Sequence, residues 1–140
     1  MIRRIAVTAL LLLSVTACST AESGRSTGTP APSSTPDWIQ EQIKGQERDL
    51  LGPVASGTGE RTLPPFSPTA AAYTVFAQCE GKGSVYVATE AAERGQKVRC
   101  GVPTSGLVYS GTDEAQSVTI TPSDDVKEWT IAILDGDHNA

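Results

Sequence analysis

Histidine occurs once in this 140-residue chain, at His138 in the polar carboxyl-terminal stretch. With a single remote imidazole, no base can be paired with a nucleophile, and two thiolates have no nearby histidine to complete a tetrahedral zinc shell. Positive charge is also thin: Lys and Arg total 11 against 16 Asp and Glu, for a formal charge of −5. Phosphate recognition depends on clustered Lys and Arg, so nucleic acid and anionic lipid surfaces are poor partners. A nucleophile elbow is absent, and Gly81-Lys82-Gly83-Ser84 lacks the length and following helix of a phosphate loop. It reads as a turn in which Gly81 and Gly83 supply positive φ. Asp113-Glu114 and Asp124-Asp125 lie in polar turns where acids are solvated. Asp135-Gly136-Asp137 offers too few oxygens in register for a calcium loop. The expectation is a non-enzyme with no metal and no cofactor.

Long hydrophobic runs are missing too, but a short one is present. Met1 to Arg4 form a basic segment and Ile5 to Leu13 an almost unbroken apolar run, well short of the roughly 20 residues a permanent transmembrane helix needs. Residues 1–17 therefore read as a signal peptide. Val15-Thr16-Ala17-Cys18 resembles the lipobox of bacterial lipoproteins: an aliphatic residue, two small residues that fit a narrow peptidase cleft, then a thiol nucleophilic enough to accept a diacylglyceryl group. Cys18 is the expected lipidation site, and the alternative is an ordinary secretory signal that happens to end near a cysteine. Two or more acyl chains anchor stably where one does not. The expected address is the extracytoplasmic face of the cell membrane. Loss of Arg3 and Arg4 with the signal makes the charge more negative by two.

Beyond the lipidated cysteine, residues 18–36 are almost entirely Ser, Thr, Ala, Gly and Pro. Such a segment buries too little apolar surface to offset its ordering entropy, so it is expected to be a disordered tether, spanning roughly 20 to 25 Å as a flexible coil. Residues 37–51 form an amphipathic helix candidate. Asp37 is placed to cap it with Gln40 in the capping-box position, and Trp38, Ile39, Ile43, Leu50 and Leu51 make a broken apolar stripe. Such a stripe packs on its own domain more often than it binds a partner. Residues 52–68, rich in Gly, Pro, Ser and Thr, read as a second linker.

From 69 to 136 the pattern has period two. Alternation over Tyr73–Cys79, Val85–Ala88, Val98–Cys100, Ser117–Thr121 and Trp129–Ile133, with the short run Leu107–Tyr109, predicts six strands separated by turn residues. Without intervening helices these form a small antiparallel β-sandwich, mainly β overall, followed by a tail at 137–140. A domain this small needs a staple. With Cys18 assigned to lipid, Cys79 and Cys100 remain to form one disulfide, as an oxidising compartment allows.

Cys79-Glu80-Gly81-Lys82-Gly83 with Val85 and Val87, then Val98-Arg99-Cys100-Gly101, Val118-Thr119-Ile120 and Trp129-Thr130-Ile131-Ala132-Ile133, resemble a group of small actinobacterial cell-envelope lipoproteins with a single-disulfide β domain and no assigned activity. The resemblance implies architecture, not chemistry. Function rests on parity: Phe76 and Tyr86 alternate away from the core-forming positions and on that reading share a face with Arg99 and Thr119. Such a face could stack on and hydrogen-bond a sugar, while the competing reading is that the helix covers it. The expected role is a non-catalytic binding module for an envelope glycan, ligand or protein, held to the membrane by its lipid. The alternatives are a structural or assembly lipoprotein without a small-molecule site and, behind it, an unrecognised hydrolase.

Overall fold

The computed structural model describes residues 35–91, 95–111 and 113–138. Cys18, the signal segment and the tether as far as residue 34 lie outside the described residues. The described chain is a helix followed by eight strands: α1 (Asp37–Ile43), β1 (Ala55–Gly57), β2 (Arg61–Thr62), β3 (Ala72–Gly81), β4 (Ser84–Thr89), β5 (Gln96–Arg99), β6 (Thr104–Tyr109), β7 (Val118–Pro122) and β8 (Val126–Asp135). They make two four-stranded antiparallel sheets, a first of order β1-β8-β3-β6 and a second of order β2-β7-β4-β5. This is the expected sandwich.

Its core follows from alternation. Tyr73, Val75, Ala77 and Cys79 of β3 and Trp129, Ile131 and Ile133 of β8 turn inward from the first sheet. They meet Val85 and Val87 of β4, Val98 of β5, and Val118 and Ile120 of β7. β-branched and aromatic residues fit a pleated, half-buried surface, which is why these segments are strands. The two ten-residue strands pair from Tyr73 opposite Asp135 to Glu80 opposite Glu128, after which the register shifts between Glu80 and Gly81. There the backbone takes φ 115° at Gly81, and a Cβ would lie 2.2 Å from the carbonyl oxygen of Asp125. Gly83 does not share the positive φ expected of it. Its reason is room, since a Cβ there would lie 2.2 Å from Ser123 Oγ.

Three further expectations are corrected. The helix stops at Ile43 instead of reaching 51, because Lys44 is extended and Gly45 takes φ 80°; a single 3-10 turn, Glu47–Asp49, follows. The capping box does not form: the cap position is Pro36, no side chain caps the first turn, and Gln40 Nε2 instead donates to the carbonyl of Thr35. Residues 52–68 are not merely a linker, since β1 pairs with β8 (Gly57 opposite Trp129) and β2 with β7 (Arg61 opposite Ile120). Trp129 explains part of this closure: its Nε1 donates to the carbonyl of Gly59 at 2.9 Å, tying the β1–β2 connection across the core.

Candidate functional site

Cross-strand partners in a sheet share a face, so pairing decides which side chains stand together. On β4, Val85 and Val87 are buried, leaving Ser84, Tyr86 and Ala88 on the outer face of the second sheet. Tyr86 is opposite Lys97 of β5 and Thr121 of β7, Ser84 is opposite Arg99, and Ala88 is opposite Thr119. Thr62 of β2 extends the row, its hydroxyl 2.9 Å from that of Thr119. Among the described residues nothing lies over this face, and one aromatic ring stands at its centre. Two cations lie along the β5 edge and threonine hydroxyls on the other side, with Thr121 Oγ1 bonded to Glu60 at 3.1 Å.

Tyr86 is the chemically distinctive member. It is 44% exposed, yet its hydroxyl is held, accepting a hydrogen bond from the Gly95 N–H at 2.9 Å. A Cβ on Gly95 would stand 2.6 Å from the ring, so only glycine lets the tyrosine lie across the start of β5. This contact has a structural use, since an aromatic ring covering a glycine at a sheet edge pins strand register. It also fixes the ring before any ligand arrives, which lowers the ordering entropy of a stacking contact.

Of the four residues assigned by parity to one face, the structure brings together Tyr86, Arg99 and Thr119 and separates Phe76. Phe76 does alternate outward on β3, but from the first sheet, and it is 1% exposed. Trp38 of α1 meets its ring edge-on at 5.7 Å. Ile39, Ala132 and Leu134 close the same cluster, with Ile43, Leu50 and Val54 around it. Phe76 is thus withdrawn from the ligand-binding set. Lys97, Thr121 and Thr62 escaped sequence reasoning although the same parity marks the first two, each two residues from Arg99 or Thr119. Gly95 carried no such signal, because its role depends on the β4–β5 pairing.

Cys79 and Cys100 are bonded, with S–S 2.09 Å and Cα atoms 4.5 Å apart. Cys79 belongs to β3 and Cys100 follows β5, so the bond joins the two sheets. Backbone hydrogen bonds from Cys100 N to Gly83 O at 3.1 Å and from Gly101 N to Cys79 O at 3.0 Å reinforce the junction.

A concavity opens between the sheets at the β1–β2 side, lined by Leu51, Ala55, Leu63, Phe66, Ile131 and Ile133 together with Arg61. At about 120 Å³ it falls below the roughly 300 Å³ at which small-molecule sites begin.

Among the described residues the acids do not converge. Asp113, Glu114, Asp124 and Asp125 are exposed at turns. Asp135 is committed to structure: its carboxylate accepts from the N–H groups of Thr69 and Ala70 and from Thr69 Oγ1. Burial pushes this carboxyl up, but those bonds and one from the Gly136 N–H outweigh burial and hold it below its ordinary range. His138, placed in the tail by the sequence, hooks back instead, its N–H donating to Thr74 Oγ1 at 2.9 Å and its ring Nε2 lying 2.7 Å from Asp135 O. Among the described residues no three His, Cys, Asp or Glu side chains gather as a metal site would require, and no helix is long and apolar enough to cross a membrane.

Compared with protein-family models, curated proteins and solved structures, the chain matches none.

Proposed function

We propose that this chain is an extracytoplasmic, lipid-anchored binding module whose second sheet presents its outer face to an envelope glycan without transforming it. The observation that carries the reading is Tyr86, an exposed ring fixed by its hydrogen bond to Gly95 between Lys97 and Thr121. A fixed aromatic flanked by hydroxyls and cations provides what a sugar ring takes: a stacking surface, hydrogen-bond partners and, for sugars bearing acidic groups, opposite charge. The cationic β5 edge is a local exception in a chain of net −5, which favours anionic sugars over neutral ones. The membrane address rests on the signal segment and Val15-Thr16-Ala17-Cys18. The Cys79–Cys100 bond supports it, since such bonds persist in oxidising compartments.

Co-sedimentation of the full chain in detergent with purified insoluble peptidoglycan tests the reading. The expected result is saturable binding that falls at least tenfold in Tyr86→Ala and weakens with added salt. Equal binding by Tyr86→Ala, or none by the wild type, overturns it. The burial of Phe76 favours one element of the structural alternative: the outer face of the first sheet serves packing.

A further inference from the structure

Each sheet ends in two strands with one unpaired side, and the sequence blunts three of these four edges. β1 has three residues and β2 has two, and Arg61 of β2 sits on the core-facing side, opposite Ile120. β5 carries Lys97 and Arg99. Short length, edge charge and inward-pointing charge are the devices by which sheets refuse a further strand. β6 has none of them. It runs six residues, pairs with β3 without a register shift, and lies within an uncharged stretch from Gly101 to Gly111.

The phase of its hydrogen bonds can be read from its end. Ser110 N–H donates to Ala71 O at 3.0 Å, one step beyond the pair Ala72–Tyr109. Antiparallel ladders alternate, so Thr104, Gly106 and Val108 turn their amides toward β3. The N–H and C=O groups of Ser105, Leu107 and Tyr109 therefore face the open side. The side chains of these three lie on the outer face, because Ser105 is opposite Phe76 and Leu107 opposite Thr74. Tyr109 is the most exposed large apolar residue described, at 74%.

We propose that β6 is a docking edge for a second copy of this chain, added antiparallel about a two-fold axis at Leu107. In that register Leu107 meets Leu107 of the second copy and Ser105 meets its Tyr109, reciprocally. All three free residues of each strand are used, and each pair exchanges two backbone hydrogen bonds. A two-fold perpendicular to the sheet keeps both outer faces on one side, so Leu107 and Tyr109 from the two copies line a single apolar row across the seam. Centring on Gly106 instead sets Tyr109 against Pro103, which has no N–H to give. A second copy also suits the charge: two acidic chains can approach where the edge carries no charge at all.

Cysteine cross-linking of the full chain in detergent reads the register. The distance between the two copies of Ser105, or of Tyr109, is roughly 13 Å along the seam, too far for a disulfide, whereas Ser105 and Tyr109 of opposite copies are within reach. Ser105→Cys and Tyr109→Cys, both at exposed positions, should each remain without a disulfide link between copies under oxidation. Mixed together they should yield at least tenfold more linked dimer than either alone, and Leu107→Cys should link to itself. Equal linking by the single variants, no linked dimer from the mixture, or a wild type that sediments as a monomer at every concentration tested overturns the proposal. None of these readouts involves glycan.

Discussion

Gly81 and Gly101 both hold positive φ, at 115° and 81°, but in different surroundings. A Cβ on Gly101 meets nothing within 4 Å, whereas one on Gly81 runs into the Asp125 backbone at 2.2 Å. Gly101→Ala should therefore lose only the conformational preference, about 1–2 kcal/mol. Gly81→Ala should add overpacking to that and lose about 3 kcal/mol or more. Urea unfolding of the two variants checks this, and equal losses would mean the Asp125 contact does not select glycine. Asp135 makes a second residue-scale prediction through pH. Its carboxyl is held below the ordinary range in the folded state, so the stabilisation is complete above the unfolded value near pH 4 and is lost as pH falls through the folded value. Charge-assisted bonds of this kind contribute about 1 kcal/mol once solvent screening is allowed for. Asp135→Asn should lower the melting temperature at pH 7 and flatten its fall between neutral pH and pH 2. A variant whose acid limb matches the wild type would show that Thr69 and Ala70 are held by other means.

α1 is seven residues long, too short to persist alone in water, so packing on the first sheet must hold it. Ile39 is fully buried among Phe76, Ala132 and Leu134. Ile39→Ala should cost about 2–4 kcal/mol, and hydrogen exchange should show α1 opening before the sandwich does; simultaneous opening would make the helix part of one cooperative unit. The disulfide works at the same scale. With its cysteines 21 positions apart in the sequence, its loss should remove about 3 kcal/mol, read as a lower melting temperature on reduction. Six strands were legible because β-branched and aromatic residues alternate in them strongly enough to declare themselves without partners. β1 and β2 were not. Ala55-Ser56-Gly57 and Arg61-Thr62 have no period of their own and become strands because β8 and β7 present unpaired edges beside them. The helix end was misjudged for a related reason: Leu50 and Leu51 continue an apolar stripe, but Leu50 reaches the sheet as an isolated bridge to Leu134, after the chain has left the helix. Phe76 marks the boundary of parity itself. Alternation shows which side of a strand a residue takes; it does not say which of two sheets the strand joins. Tyr86 and Arg99 were correctly grouped because β4 and β5 are neighbours, and Phe76 was misplaced because β3 lies across the core.

The two outer faces of the sandwich are unequal. The first is covered in part by α1, which begins at Asp37 directly after the segment expected to be the tether, and the second carries Tyr86, Lys97, Arg99 and Thr121, which no other described residue covers. The described chain enters through α1 on the first-sheet side, so the second-sheet face lies on the side of the sandwich away from the helix. Thiol chemistry can test address and presentation together. In the proposed protein every native cysteine is blocked, Cys18 by lipid and Cys79 and Cys100 by each other, so the wild type should not react with a maleimide before or after lysis. Thr121 is exposed on the second-sheet face, so Thr121→Cys adds one accessible thiol there without touching the core. Intact cells stripped of their wall and treated with a membrane-impermeant maleimide should label Thr121→Cys to the same extent as lysed cells. Labelling that appears only after lysis would place the domain inside the membrane barrier and remove the envelope glycan as its ligand. Labelling of the wild type would show a native thiol left free, and its peptide would say which of the lipid and the disulfide is missing.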